Sequence, residues 1–290
     1  MKKPILKKIF VVGAPRSGTT LTQSILATHP LVYSTRETHL IVNMRRNGSK
    51  FKFLDHIRLD PNRVQQAIEY LRDRCPELHQ QFQIQQPYCR RLSDSIRLLN
   101  QLYTAAAQAR NKIYWVEKSP EHVGYIYPIS RHIESPIFIH TIRDPRDNIA
   151  SLYDVGQTYP KSWKNRQTLQ QCIDTYQLYL SKSMPHLNRE HHFFLVYDHL
   201  IENPEQQIRS LLSFTGLDDF FPDIHQIDSG NHTISGKDEF WKKEHRAGIQ
   251  DTRLLKYHRL FNKKQKEQIE DQTSRIYQQI ITKLTMPTFT

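Results

Sequence analysis

The stretch Ile9-Phe-Val-Val-Gly-Ala-Pro-Arg-Ser-Gly-Thr-Thr20 decides the fold. Ile9–Val12 is a short β-branched and aromatic run, the pattern of a strand buried on both faces. Gly13 to Gly18 is a glycine-bearing turn, and Thr19–Thr28 continues as a helix. Such a turn aims backbone N–H groups at an anion, and the helix N-terminus behind it favours negative charge. Gly13 and Gly18 keep the spacing of the phosphate-loop pattern G-x-x-x-x-G-K-[ST]. Thr19, however, takes the lysine position, and the cation stands inside the loop at Arg16. Chemistry that needs the loop lysine on β/γ-phosphates is weakened by that exchange. A loop holding one 5′-phosphate, through Arg16, Ser17, Gly18, Thr19 and Thr20, is not.

Outward from this loop, Ile113–Val116, Ile137–Ile142 and Phe193–Tyr197 read as further buried strands. Helical periodicity lies between them, at Arg63–Arg74, Leu92–Ala109 and Leu169–Leu180. Pro204–Phe214 is a further helix, entered by Asn203 as N-cap with Pro204 at the first position, and Lys264–Leu284 carries a sparse apolar face. Strands alternating with helices predict an α/β fold, a central parallel sheet flanked by helices. No linker divides the chain, so residues 1–290 are expected to form a single domain. Residues of about 43–110 form a mainly helical elaboration between the first two strands.

The 290 residues include 41 Lys+Arg and 29 Asp+Glu, a formal charge of +12. Hydrophobic content of 38% suits a folded core and is too high for a disordered chain. No apolar run approaches a membrane span, and the one after the basic start, Ile9–Val12, is shorter than a signal-peptide core. Cys75, Cys89 and Cys172 have neither metal-ligand spacing nor an even disulfide count. The expectation is a soluble, cytoplasmic, metal-free protein whose charge meets a polyanionic partner.

A second anion site is suggested by Ile137–Ile142 and the turn Arg143-Asp-Pro-Arg-Asp147 that follows, with Ser151 in the next helix. On charge alone, Arg143 and Arg146 pair with Asp144 and Asp147 on a solvated turn. Pro15-Arg-Ser-Gly-Thr-Thr20 resembles the 5′-phosphosulfate loop of the sulfotransferases that use 3′-phosphoadenosine-5′-phosphosulfate (PAPS). Arg143, with Ser151 eight residues later, is similar to that family's 3′-phosphate motif. Val196-Tyr-Asp-His-Leu200, continuing through Pro204 to Phe214-Thr-Gly-Leu217, is similar to its tyrosine strand and the helix after it. The resemblance implies a P-loop-type sulfotransferase fold, PAPS as donor and 3′-phosphoadenosine 5′-phosphate (PAP) as product. It also implies Tyr197 near the adenine and a late basic loop on the 3′-phosphate. Gly236 to Gly248 holds Lys237, Lys242, Lys243 and Arg246, and Arg246 is the closest in form.

Sulfuryl transfer needs a base for the acceptor's proton and cations for the donor oxygens. Glu37, in Ser34-Thr-Arg-Glu-Thr-His-Leu40, matches the second glutamate of the Glu-Glu-Thr loop of tyrosylprotein sulfotransferases, the base by resemblance. Arg36 departs from the first. Lys118 matches the lysine of the Lys-Thr-His segment in cytosolic members, which implies a cation on the leaving phosphate or the sulfuryl group. His122 is the rival base; its ordinary pKa suits neutral pH, but it stands two residues off that pattern.

The implied partner is a hydroxyl-bearing acceptor: a small molecule, sugar, lipid or tyrosine peptide. Arg45, Arg46, Arg72, Arg90, Arg91 and Tyr88 in the helical elaboration would suit an anionic or glycosylated one. Two alternatives stand beside this reading. One is a P-loop small-molecule kinase. The other is a non-catalytic nucleic-acid binder using patches such as Lys161–Arg166, although no basic stripe with interleaved aromatics is present.

Overall fold

The computed structural model describes residues 6–45, 59–85, 89–217, 220–222 and 251–285. Five parallel strands are ordered β2-β3-β1-β4-β5: β1 Lys7–Gly13, β2 Val32–Ser34, β3 Tyr114–Lys118, β4 Ile137–Ile142 and β5 His192–Val196. The expected strands are all present. β2 is additional, and its three residues are too few to show a period. It stands between β1 and β3 in the chain, so the helical elaboration follows the second strand rather than the first. Among the described residues no helix is long and apolar enough to cross a membrane.

β1 is central because both its faces are apolar. Phe10 and Val12 pack with Trp115, Phe138 and helix residues Leu98, Leu99 and Leu102. Ile9 and Val11 face the other way, onto Leu21, Ile25, Val116, Ile139 and Leu211. Period-2 alternation with two apolar sides lets helices cover each face.

One covering layer contains α1 (Thr19–Ala27), next to the phosphate loop. After the short α2 (Leu40–Asn43) come α3 (Pro61–Arg74), α4 (Pro76–Gln85) and α5 (Leu92–Gln108). These three helices fall within residues 43–110. A 3-10 turn, Pro120–Tyr125, precedes α6 (Ile126–His132). Next are α7 (Pro145–Thr158), α8 (Leu169–Ser183), α9 (Tyr197–Glu202) and α10 (Pro204–Thr215). Asn203 occupies the N-cap position of α10, but its side chain makes no capping bond; Pro204 starts the helix as expected. The C-terminal helices are α11 (Leu255–Leu260) and α12 (Lys263–Thr285). The strand order reverses about β1, so the loop after β1 opens at the switch point where α/β sheets take ligands.

Candidate active site

The phosphate loop is shaped by short bonds within it and by donors from the β4–α7 turn. Ser17 Oγ donates to Ala14 O at 2.6 Å and lies 2.6 Å from Thr141 Oγ1 on β4. Asn148 Nδ2 donates to Pro15 O at 3.1 Å, and Arg143 Nη1 donates to Arg16 O at 3.1 Å. Two successive loop carbonyls are therefore held by side chains from the end of β4 and the start of α7. Gly18 has φ +97, and a Cβ there would meet the Tyr197 ring at 2.5 Å. Glycine is needed at this position both for the left-handed backbone and for the close ring.

The residues expected around the nucleotide converge on this loop. Arg16 Nε donates to Ser151 Oγ at 3.0 Å. The Arg143 guanidinium lies over the Tyr197 ring, 4.4 Å from its centroid. Its Nε is buried with no hydrogen-bond partner among the described residues. The charge-pairing alternative holds for one arginine of the turn and not for the other. Arg146 forks onto Asp144 at 2.9 and 2.7 Å, whereas Arg143 turns to Tyr197 and the loop. Asp144 also caps α7 through Arg146 N at 2.9 Å. Tyr197 is held under Arg143, and burial pushes its phenol pKa up. Arg246 and the rest of Gly236–Gly248 lie outside the described residues.

A cavity of about 250 Å³ opens beside the loop. Its lining includes Arg16, Thr19, Thr20 and Glu37, together with His39 and Glu121. Lys118 stands at the end of β3, buried, with its ammonium on the Glu37 carboxylate Oε1. It also donates to Thr20 Oγ1 at 3.3 Å. His39 Nε2 lies 2.9 Å from Glu37 Oε2, and its Nδ1 lies 3.2 Å from Glu121 Oε2. Glu37 is thus held between an ammonium and an imidazole. Burial opposes charge on His39, but the field and hydrogen bond of Glu121 outweigh it and raise the imidazole to about 9. Glu121 is lowered to about 2: burial acts against ionisation, and the charge and hydrogen bond of His39 win.

The segment carrying Glu37 is fastened from two sides. Thr38 Oγ1 donates to Glu117 Oε1 at 3.3 Å, and His39 N donates to Ser119 Oγ at 3.2 Å, which anchors it to the end of β3. From the helical elaboration, Tyr70 OH donates to Glu37 O at 3.3 Å. Thr35 Oγ1 donates to Glu77 at 2.6 Å.

His122 is placed differently. It is fully buried behind this segment, packed against Phe10 and Tyr125, with Nδ1 2.7 Å from Glu117 Oε2. It does not line the cavity. Glu117, equally buried, also accepts from Ser119 Oγ at 2.6 Å. This polar knot holds the strand end and the Glu37 segment together.

Sequence reasoning did not single out His39, Glu121, Tyr70, Arg74 or Trp163. The one available signal was the position of His39, two residues after Glu37. Besides Arg16, the arginines on the cavity wall are Arg74 and Arg166. Of those expected at an acceptor site, Arg72, Arg90 and Arg91 are exposed. Arg45 donates to Tyr125 OH at 3.1 Å, and Arg46 and Tyr88 fall outside the described residues. Among the described residues no group of His, Cys, Asp and Glu forms a metal site.

The fold is similar to the sulfotransferase domain from the curacin biosynthetic pathway, with TM-score 0.59 and 17% identity, covering 94% of this chain and 99% of that one. The sulfotransferase domain of the Synechococcus PCC 7002 olefin synthase matches with TM-score 0.59 and 17% identity, over 94% and 96% of the two chains. A mouse sulfotransferase complexed with PAP matches with TM-score 0.52 and 10% identity, over 97% and 86%. In sequence, an uncharacterised protein of Aquifex aeolicus (strain VF5) is 25% identical over 232 residues, 74% of this chain. The chain spans about a quarter of that relative's length, 26%. The sequence model of the Sulfotransferase family matches residues 8–223, most of the chain, and the protein belongs to that family.

Proposed function

We propose that this protein is a PAPS-dependent sulfotransferase acting on a hydroxyl acceptor, with Glu37 as general base. The observation that carries the reading is the Glu37 carboxylate on the cavity wall, in contact with Lys118, whose ammonium also reaches Thr20 of the phosphate loop. Proton acceptor, cation and anion-binding loop share one small space.

The residues present fit the donor. A glycine-shaped loop at a helix N-terminus suits a 5′-phosphate. Arg143 brings a buried Nε–H that has no hydrogen-bond partner among the described residues, matched to a dianion. Arg16 and Ser17 to Thr20 would hold the 5′-phosphosulfate end. Arg143 and Ser151 would hold the 3′-phosphate, with Tyr197 beside the base. When bound, PAPS supplies the activated sulfuryl group.

The chain's own part is to position, to neutralise and to move one proton. Glu37 takes the acceptor hydroxyl proton onto a carboxylate oxygen and becomes the neutral acid. Lys118 and His39 hold that carboxylate in place beforehand, which reduces the reorganisation needed in the transition state. Lys118 and Arg16 supply positive charge next to the loop, the cations that a metal would otherwise provide. His122 serves the scaffold, through Glu117.

A thermal shift with PAP against ATP/Mg²⁺, followed by transfer from labelled PAPS to a hydroxyl-acceptor panel, tests this reading. Binding to the native state raises the melting temperature. A shift with PAP and label on an acceptor are expected. A shift with ATP/Mg²⁺ alone would favour a kinase instead.

A further inference from the structure

Glu37 sits on a stretch with no regular structure of its own. β2 ends at Ser34 and α2 begins at Leu40, and residues 35–39 between them belong to neither helix nor strand. A carboxylate on such a loop has no ladder beneath it, so its position depends on bonds from elsewhere. On one side those bonds come from the end of β3, through Glu117 and Ser119. On the other they come from the helical elaboration, and they fall on three successive residues.

Thr35 Oγ1 donates to Glu77 Oε1 at 2.6 Å, Cys75 Sγ donates to Arg36 O at 3.7 Å, and Tyr70 OH donates to Glu37 O at 3.3 Å. Glu77 Oε1 also accepts from Tyr33 OH on β2 at 3.3 Å. Burial first, then the Glu77 charge, pushes the Cys75 thiol up to about 12, which keeps its S–H as a donor. All three anchoring groups lie within Tyr70–Glu77, where Pro76 ends α3 and opens α4. Leu71, Cys75 and Leu78, in and beside this stretch, are fully buried in the core. The anchors therefore stand on close-packed side chains, which resist displacement. Tyr70 also lines the cavity.

We propose that Tyr70 and Glu77 are positioning residues for the base: they hold the main chain at Glu37 and the side chain of Thr35, and so set where the Glu37 carboxylate meets the acceptor hydroxyl. Both act through Glu37 and exchange no proton themselves. This inference rests on the assignment of Glu37 as base and adds what places it. It gives the helical elaboration two duties, shaping the cavity wall through Tyr70 and Arg74 and setting turnover through the base segment.

The test uses the full chain and three variants. Tyr70→Phe keeps the ring on the cavity wall and removes the hydroxyl donor. Glu77→Ala removes the acceptor of Thr35, whereas Glu77→Gln keeps an acceptor oxygen there. The first measurement, amide hydrogen exchange of the free protein, needs no acceptor. Exchange over Ser34–Leu40 should be about fivefold faster in Tyr70→Phe and Glu77→Ala, the equivalent of one hydrogen bond. β1 and β4 should be unchanged, and Glu77→Gln should match wild type.

The second measurement is single-turnover label transfer from saturating PAPS to 4-nitrophenol, octanol, N-acetylglucosamine and a tyrosine peptide. On a compound that takes label, the rate should fall about 10–100-fold in Tyr70→Phe and Glu77→Ala and be retained in Glu77→Gln. Acceptor KM and PAP affinity should stay within about twofold, as expected when only transition-state placement is lost. Adding Tyr70→Phe to Glu37→Gln should cost less than about threefold further, because residues acting through one another are not additive.

Unchanged exchange over Ser34–Leu40 in Tyr70→Phe would overturn the inference, whatever the panel shows. So would a wild-type rate in Tyr70→Phe, a loss carried by KM or PAP affinity, equal rates in Glu77→Gln and Glu77→Ala, or the same fold-loss in the Glu37→Gln background. Each of these leaves the sulfotransferase reading intact. Absence of both PAP binding and label on any acceptor would remove that reading, and the inference with it.

Discussion

The Lys118 ammonium, buried at the end of β3, rests on the Glu37 carboxylate and joins the base candidate to Thr20 of the phosphate loop. A buried ammonium requires such a partner. The contact also explains how two segments 81 positions apart in the chain form one site.

Glu37→Gln keeps the size of the side chain and removes the proton acceptor. Turnover should fall by roughly 10²–10⁴-fold, the usual contribution of a positioned base, while PAP affinity measured by calorimetry stays close to wild type. His122→Ala should instead leave a buried Glu117 oxygen short of a donor and cost about 1–3 kcal/mol of stability, with turnover per folded molecule retained. The opposite pattern would make His122 the base.

Arg143 stacks on Tyr197 and bonds the loop carbonyl of Arg16. Arg143→Ala should weaken PAP by about 10–100-fold, the equivalent of one or two charge-assisted hydrogen bonds. Adenosine 5′-phosphate, which lacks the 3′-phosphate, should lose much less. Equal losses in parallel titrations would remove Arg143 from the 3′-phosphate site.

Gly18→Ala combines a positive φ with a Cβ 2.5 Å from the Tyr197 ring. Strain at such a backbone position costs about 1–3 kcal/mol, so the melting temperature should drop and PAP binding should be lost. Adding Tyr197→Ala should recover part of the stability by making room for the methyl group. Recovery to wild type would mean that the backbone carries no strain.

Two sets of histidines give stability opposite pH dependence. His140 Nε2 lies 3.0 Å from His192 Nδ1, and His192 stacks on His186 at 4.6 Å. Burial first, then the neighbouring imidazoles, lowers His140 well below its usual value; burial, His186 and Arg189 bring His192 to about 4. The unfolded chain binds these protons near pH 6.5, so it holds more protons than the folded one below that pH. Stability is therefore lost as the pH falls from 6.5 towards 4.

His39, raised to about 9, behaves in the opposite way. Its contribution is complete below 6.5 and is lost as the pH rises through 9. Urea midpoints measured across pH 4–9.5 should flatten on the acid side in His192→Gln and on the alkaline side in His39→Gln. Unchanged limbs in both variants would refute the assignment of these groups.

The sequence alone carried the strand–loop–helix unit at Ile9–Thr28, the other buried strands except β2, and the principal helices. Each is a local pattern in which periodicity and turn chemistry act over a few residues, so contiguous sequence is sufficient. β2 was missed because three residues cannot show a period, and because its pairing with β3 depends on a partner about eighty positions away.

The site residues were legible as candidates and not as a geometry. Arg143 and Arg146 are equivalent on paper, yet one pairs with Asp144 and the other turns to Tyr197, because β5, paired with β4, ends where it sets Tyr197 beside Arg143. Which of Glu37 and His122 lines the cavity was not legible in the sequence: β3 and α3 fix the segment that puts Glu37 on the wall and leaves His122 behind it. The clamp of Glu37 between Lys118 and His39, and the placing of Arg74 and Arg166 on one cavity wall, are tertiary facts. Contacts of this kind depend on where distant backbones cross, and no local pattern encodes that crossing.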